Sequence, residues 1–256
     1  VPAGIGQDFK ITAAQLEAAV TPKTKLVILC SPSNPTGSVY SEEELGELAG
    51  VVLAHDDLFV LSDEIYEHIN YIGGHSSIAA CPGMKERTVV CNGVSKAYAM
   101  TGWRLGWVAA PEWIVKGLGK LQGQYTSGTS SVSQMAALAA YEGDQSCVAA
   151  FRETFRRRRD LIVSLAKDIP GLEVNVPQGA FYLFPDCSAF FGRSDGKRVI
   201  RNSTDLALYL LEEGHVATVG GDAFGAPGCF RMSYATDDAS IKEALRRIKD
   251  VLSRLE

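Results

Sequence analysis

Three short runs of apolar, β-favouring residues, each followed by a polar loop, constrain the fold of this chain most strongly. They cover residues 25–30, 58–62 and 88–91. Capping boxes that begin at Thr12 and Ser41 predict helices over about residues 12–20 and 41–55, the second of which lies between the first two runs. The first run is too uniformly apolar for a solvated face, so we expect it inside a parallel sheet. Strands that alternate with helices predict right-handed crossovers and a largely parallel sheet. A further run at residues 105–110 predicts a fourth strand.

Polar side chains follow the first three strands at their carboxyl ends, the edge where open α/β sheets bind ligands. Each of these side chains, considered alone, has a simpler explanation, such as a turn, a helix cap, packing or ordinary surface exposure. Taken together they match one cofactor, because pyridoxal phosphate needs an amine, an anion for its ring nitrogen, and donors for its phenolate and phosphate. The predicted group comprises Asn34, Asp63, Tyr66, Ser95, Lys96 and Arg104.

Lys96 is the candidate for the amine. Its apolar neighbours Ala97, Ala99, Met100 and Trp103 would remove solvent from the side chain. Desolvation favours a neutral amine, which can attack a carbonyl. The alternative is a surface turn with an exposed lysine.

Composition excludes several other classes of function. The 256-residue chain has a net charge of −5, which argues against a nucleic-acid or anionic-membrane surface. No apolar run is long enough to span a membrane. Six cysteines are scattered without a CxxC pair, which indicates a reducing cytoplasm. The four histidines show no ligand spacing, so no metal site is predicted.

Three motifs resemble those of the fold-type I, pyridoxal-phosphate-dependent class I/II aminotransferases, with greatest similarity to the bacterial aspartate aminotransferase subgroup. They are SNPTG at residues 33–37, SDEIY at 62–66 and SKAYAMTGWRLGW at 95–107. The resemblance runs from about residue 6 to the C-terminus. It implies the aspartate aminotransferase fold, with a partial large domain of mostly parallel sheet at residues 1–145. A smaller α+β domain is expected at residues 146–256.

The resemblance also implies a role for each residue of the group. Lys96 would form a Schiff base with the cofactor, and Asp63 would keep the pyridine nitrogen protonated. Tyr66 and Asn34 would hydrogen-bond the phenolate oxygen, and Asn34 would also contact substrate. The remaining two residues, which would hold part of the phosphate, are Ser95 and Arg104. The family often has a cis bond in its first motif, so we expect a cis Asn34–Pro35 bond.

The second half of the chain is expected to supply the substrate-binding arginine. Residues 230–234 read as a strand in which alternation places Arg231 opposite Phe230 and Met232. From the residues alone Arg231 could lie on a solvated face. In the family this motif carries the arginine that binds the substrate α-carboxylate. The loop at residues 220–225 has Gly220 where the family commonly has proline.

The other segments of this half read as ordinary secondary structure. Residues 156–159 are four consecutive arginines on a predicted helix at 151–167, where their side chains point all round rather than forming one nucleic-acid-binding stripe. Further helices are expected at 117–141, 204–213 and 240–255, and strands at 172–176, 180–184 and 216–219.

The implied activity is transamination between an L-amino acid, by resemblance aspartate, and a 2-oxo acid such as 2-oxoglutarate. The family works as a homodimer on small-molecule substrates. Its chains are longer, so we expect a missing part before Val1 that holds the first strands and part of the cofactor site, and a feeble or inactive fragment. Two alternatives stay open: a C–S lyase of the same fold, and a non-catalytic effector-binding domain. If the protein were only an interaction scaffold, the joint occurrence of all the site residues would be a coincidence.

Overall fold

A computed structural model describes all 256 residues, which cluster into two compact units. The first unit contains mainly residues 11–32 and 39–152. The second contains mainly residues 153–256, together with residues 2–10 and 33–38.

The first unit is built on a four-stranded sheet in the order β1-β2-β3-β4. The first three strands are parallel, and β4 runs antiparallel to β3. The sheet is therefore largely parallel, as the alternation of strands and helices predicts. The strands are β1 (Leu26–Cys30), β2 (Phe59–Asp63), β3 (Thr88–Gly93) and β4 (Gly106–Ala109).

The position of β1 differs from the prediction. It lies at an edge of the sheet, where Leu26 is 47% and Ile28 72% exposed. An unbroken apolar run does not reveal which of its faces a neighbour covers, so the expectation of an interior strand is wrong for this structure.

Two helices pack near the start of this sheet, and each begins with a capping box. Thr12 caps α1 (Ala13–Ala19) through the backbone of Gln15, and Ser41 caps α2 (Glu42–Leu53) through Glu44. In both boxes the glutamine or glutamate side chain accepts a hydrogen bond from the cap backbone in return. Apolar residues of α2, the strands and the connecting segments form the core, including Leu45, Val52, Leu58, Val60, Ile78 and Met84.

Three helices follow β4: α3 (Glu112–Tyr125), α4 (Ser131–Glu142) and α5 (Ser146–Lys167). The sequence pattern predicts one helix over residues 117–141, but the chain breaks at residues 126–130. Ser127 and Gly128 have φ angles of 60° and 151° there, which an α-helix cannot contain. No helix of the structure is long and apolar enough to cross a membrane.

The second unit contains a small antiparallel sheet in the order β5-β7-β6. Its strands are β5 (Tyr182–Leu183), β6 (Val219–Gly220) and β7 (Phe230–Ser233). The predicted strand at residues 172–176 forms only one bridge, between Glu173 and Asp186.

Helices α6 (Ser203–Gly214) and α7 (Asp238–Leu252) complete the α+β unit. Asp237 caps α7 by accepting a hydrogen bond from the Ser240 backbone. The core includes Leu206, Leu210, Phe230, Tyr234 and Ile248.

The four consecutive arginines of α5 all form ion pairs. Arg156 pairs with Glu153, Arg159 pairs with Asp160, and both Arg157 and Arg158 pair with Asp238. Two of the four therefore pair with neighbours on their own helix, and the other two with a residue of α7.

Candidate active site

The carboxyl ends of β2 and β3 place two of the predicted polar loops at one edge of the sheet. Asp63, the last residue of β2, lies in register with Cys30 of β1 and Cys91 of β3. Lys96 follows β3 by three residues. Parallel strands thus bring an acidic and a basic loop to the same edge, as the sequence predicts.

Asp63 is held by the turn that follows it. It is half-buried, and its Oδ1 accepts a hydrogen bond from the backbone N–H of Ile65 at 3.2 Å. Burial, and after it the nearby charge of Asp63, raise the pKa of the Cys91 thiol. The turn therefore fixes the direction of the Asp63 carboxylate at the end of β2.

Lys96 and Tyr66 lie close to each other at this edge. The Lys96 Nζ is 5.8 Å from the centroid of the Tyr66 ring, within the distance at which a cation and a ring attract. Tyr66 is buried and Lys96 is half-buried. The expected apolar surroundings are only partly present, because Ala97 is buried whereas Ala99 and Trp103 are exposed.

Gly93 and Gly106 let β4 approach the start of the lysine loop. A Cβ on Gly93 would lie 2.8 Å from the Gly106 Cα and 2.8 Å from the Leu105 carbonyl oxygen. Only glycine fits at the end of β3, so the loop that carries Lys96 leaves the sheet at a fixed point.

Arg104 and Ser95 belong to the same loop. Arg104 has left-handed backbone geometry with φ at 51°, is exposed, and donates from Nη1 to the Thr101 carbonyl at 3.0 Å. Ser95 is half-buried beside Lys96. Their role in phosphate binding stays a prediction.

In the second unit, Asn34 and Arg231 are hydrogen-bonded to each other. Arg231 Nη1 donates to Asn34 Oδ1 at 2.9 Å. The guanidinium carbon lies 4.6 Å from the Tyr182 ring centroid and 5.0 Å from that of Phe224. Arg231 is half-buried between Phe230 and Met232, whose side chains are buried, so the predicted alternation along β7 is confirmed. These contacts distinguish Arg231 from an arginine on a solvated face. The bond between Asn34 and Pro35 is cis, as expected.

Three residues with contacts near the predicted site were absent from the predicted group. Tyr182 and Phe224 contact Arg231, and no local pattern marks an aromatic residue that packs against a distant arginine. Glu64 is a buried carboxylate directly after Asp63. The sequence signal for Glu64 is its position directly after Asp63 in the second motif, SDEIY.

Comparisons with known proteins agree with this fold. The model of the family "Aminotransferase class I and II" matches residues 2–248. An aspartate aminotransferase of Rhizobium meliloti (strain 1021) is 48% identical over 251 residues, covering 96% of this chain and 61% of that protein. A Petunia hybrida protein, named as a bifunctional aspartate aminotransferase and glutamate/aspartate-prephenate aminotransferase, is 48% identical over 98% of this chain and 54% of its own length.

Solved structures show the same relationship. The crystal structure of the aspartate aminotransferase from Rhizobium meliloti superposes with a TM-score of 0.95 at 45% identity, covering all of this chain and 65% of that one. An aromatic aminotransferase from Pyrococcus horikoshii OT3 gives a TM-score of 0.90 at 40% identity, over 99% of this chain and 66% of that one. The chain belongs to the class I and II aminotransferase family and has the aspartate aminotransferase fold. It spans about half to two thirds of the length of the relatives it matches.

Proposed function

We propose that the protein catalyses pyridoxal-phosphate-dependent transamination between an L-amino acid, aspartate, and a 2-oxo acid such as 2-oxoglutarate. The observation that carries the proposal is the meeting of Asp63, Tyr66 and the Lys96 loop at one sheet edge in a chain of this family. The aspartate preference is supported by the names of the Rhizobium and Petunia relatives.

The residues at this edge fit the proposed cofactor. A lysine amine suits the aldehyde, an aspartate carboxylate suits the ring nitrogen, and a tyrosine hydroxyl suits the phenolate. Ser95 and Arg104 offer a hydroxyl and a fixed positive charge for the phosphate. When bound, pyridoxal phosphate supplies a ring that takes up the negative charge left on the substrate carbon.

Each residue then has a distinct task. Lys96 holds the cofactor between turnovers, and its Nζ accepts the proton from the substrate Cα and later donates it, as a base and then an acid. Asp63 keeps a proton on the ring nitrogen by its charge. Arg231 binds the substrate α-carboxylate, because its planar guanidinium can donate two parallel hydrogen bonds, and Asn34 orients that guanidinium.

We extend the proposal to the molecule's organisation. Residues 1–145 act as the large cofactor-binding domain and residues 146–256 as the small domain. The protein works as a homodimer on small molecules, without nucleic acid, and in the cytoplasm. The scattered cysteines are consistent with a reducing compartment.

The test is a transaminase assay on the purified full-length protein supplied with pyridoxal phosphate. We expect aspartate and 2-oxoglutarate to yield oxaloacetate and glutamate. Lys96→Ala should lower kcat by roughly 10²–10⁴-fold or more, since a positioned acid–base is lost together with the covalent attachment. Lys116→Ala is the matched control, because Lys116 is exposed and pairs with Glu112 on α3. A Lys96→Ala variant with a near-normal rate would contradict the assignment.

The same preparation separates the alternatives. Release of pyruvate and ammonia from cystathionine without a 2-oxo acid would indicate a C–S lyase. Amino-acid binding without any turnover would indicate an effector-binding domain.

A further inference from the structure

Glu64 is a buried carboxylate for which the proposed chemistry has no use. It directly follows Asp63, and its side chain is only 5% exposed. An ionised carboxylate loses its hydration when buried, at a cost of several kcal/mol unless it is paired and hydrogen-bonded. Its partners therefore indicate what it does.

Three donors surround the Glu64 carboxylate. Ser62 Oγ and Ser77 Oγ donate to Oε1 at 2.9 Å and 2.6 Å. His75 Nε2 lies 2.8 Å from Oε2. A carboxylate can only accept hydrogen bonds, so the hydrogen of this contact belongs to His75 Nε2.

These donors connect two separate stretches of chain. Ser62 belongs to β2, whereas His75 and Ser77 lie eleven and thirteen residues after Glu64. The backbone at Glu64 is fixed as well, since its N–H donates to the Cys91 carbonyl at 2.9 Å and its carbonyl accepts from the Glu67 N–H at 2.9 Å.

The hydrogen bonds of Glu64 hold the turn at residues 63–67, which also orients Asp63. The Asp63 carboxylate accepts from the Ile65 N–H, so the direction of the carboxylate depends on the conformation of residues 63–67. Tyr66 lies in the same turn, and its carbonyl accepts from the Ile69 N–H at 2.8 Å.

A cation site is the competing explanation for this cluster. Ligand atoms of Glu64, Glu67 and His75 all lie within 4.8 Å of one another. His75 Nε2 is 2.8 Å from Glu64 Oε2, a direct hydrogen-bond distance that leaves no space for an ion between these two atoms. His75 Nδ1 is buried without a hydrogen-bond partner, so it is the ring nitrogen that a cation would use. The direct hydrogen bonds from Ser62, Ser77 and His75 favour a hydrogen-bonded tie, and treatment with a chelator tests the cation site.

We infer that Glu64 and His75 are positioning residues that fix the turn carrying Asp63 and Tyr66, an inference that rests on the proposed function. His75 is the better residue to change, because replacing Glu64 alters the neighbour of Asp63 directly. His75→Leu removes the N–H donor, and His75→Gln retains one.

The first measurement uses the protein without cofactor. Amide hydrogen exchange of the peptide covering residues 62–69 should be faster in His75→Leu by roughly tenfold or more, because a hydrogen bond to a charged group is lost. Exchange in β1 should not change, and His75→Gln should restore most of the protection. His55→Leu is the matched control, since His55 also contacts a glutamate, Glu17 at 3.1 Å, and its side chain is more exposed than that of His75, at 36% against 15%.

The second measurement follows turnover with pyridoxal phosphate and aspartate. His75→Leu should lower kcat roughly tenfold with KM for aspartate within about twofold, because the group that orients the ring is displaced while the substrate arginine is untouched. His75→Gln should recover kcat, and His55→Leu should match the parent.

Three outcomes would overturn the inference. The first is an amide exchange rate in His75→Leu equal to that of the parent, and the second is faster exchange with an unchanged kcat. The third is a parent that shows the exchange pattern of His75→Leu after treatment with a chelator. The last would identify a cation site. An inactive full-length parent would instead refute the proposed function, whereas unchanged exchange in an active parent would refute only this inference.

Discussion

At the scale of single residues, Arg231 shows how the fold turns an ordinary surface residue into a candidate recognition group. Its guanidinium contacts two aromatic rings and donates to Asn34. These contacts restrict the side chain before any substrate arrives, which lowers the entropy lost on binding.

We expect Arg231→Lys to raise KM for aspartate roughly 10–100-fold, with a smaller effect on kcat. The reason is that lysine cannot form a two-pronged contact with a carboxylate, and a hydrogen bond to a charged group contributes about 1.5–3 kcal/mol. Steady-state kinetics measure both constants. Arg193→Lys is the control, because Arg193 also stacks on a ring, that of Phe190, outside the proposed site. An unchanged KM in Arg231→Lys would contradict the role.

Some residues at the sheet edge could be predicted from the sequence, and others could not. Asp63 and Lys96 could be predicted because strand ends in a parallel sheet share an edge. Asp63 directly follows one strand pattern, and Lys96 lies in the short loop after the next. Glu64 could not, because a buried carboxylate is rare and its partners His75 and Ser77 lie well ahead in the chain.

At the scale of secondary-structure elements, local signals located helix starts well and strand pairing poorly. The boxes at Thr12 and Ser41 depend only on residues three apart, so they could be read from the sequence. Strand pairing depends on distant segments. The direction of β4 and the near absence of a strand at residues 172–176 reflect neighbours that a local pattern does not contain.

Helix α7 allows a test of electrostatics within one element. Hydrogen bonds from Arg246 and Arg247 lower the pKa of Glu243 from its ordinary 4.5 to about 2. Because the folded pKa is the lower one, the small stabilisation is present above about pH 4.5 and is lost as the pH falls through about 2.

NMR titration of the Glu243 carboxyl carbon should therefore give a midpoint near 2. Arg246→Gln should move this midpoint upward, since one of the two arginines is removed. A midpoint close to 4.5 in the parent would show that these surface pairs do not form in solution.

At the scale of the whole molecule, stability depends on the cores of the two compact units. Leu206 and Leu208 on α6 provide a matched pair, because Leu206 is fully buried in the second core and Leu208 is 47% exposed. A leucine-to-alanine substitution can therefore be made at a buried position and at an exposed position of the same helix.

Leu206→Ala should lower the free energy of unfolding by about 2–5 kcal/mol, since it leaves a cavity among packed side chains. Leu208→Ala should change it by no more than about 0.5 kcal/mol. Urea unfolding followed by circular dichroism measures both. Equal effects for the two variants would contradict the described packing of α6.

The account as a whole depends on the identity of the amine at the sheet edge, and borohydride trapping tests it most directly. The protein is incubated with pyridoxal phosphate, reduced with sodium borohydride, digested, and the modified peptides are sequenced by mass spectrometry. The account predicts one dominant phosphopyridoxyl-lysine at Lys96, lost in Lys96→Ala and retained in Lys116→Ala. Modification spread evenly over surface lysines, with none enriched at Lys96, would contradict it.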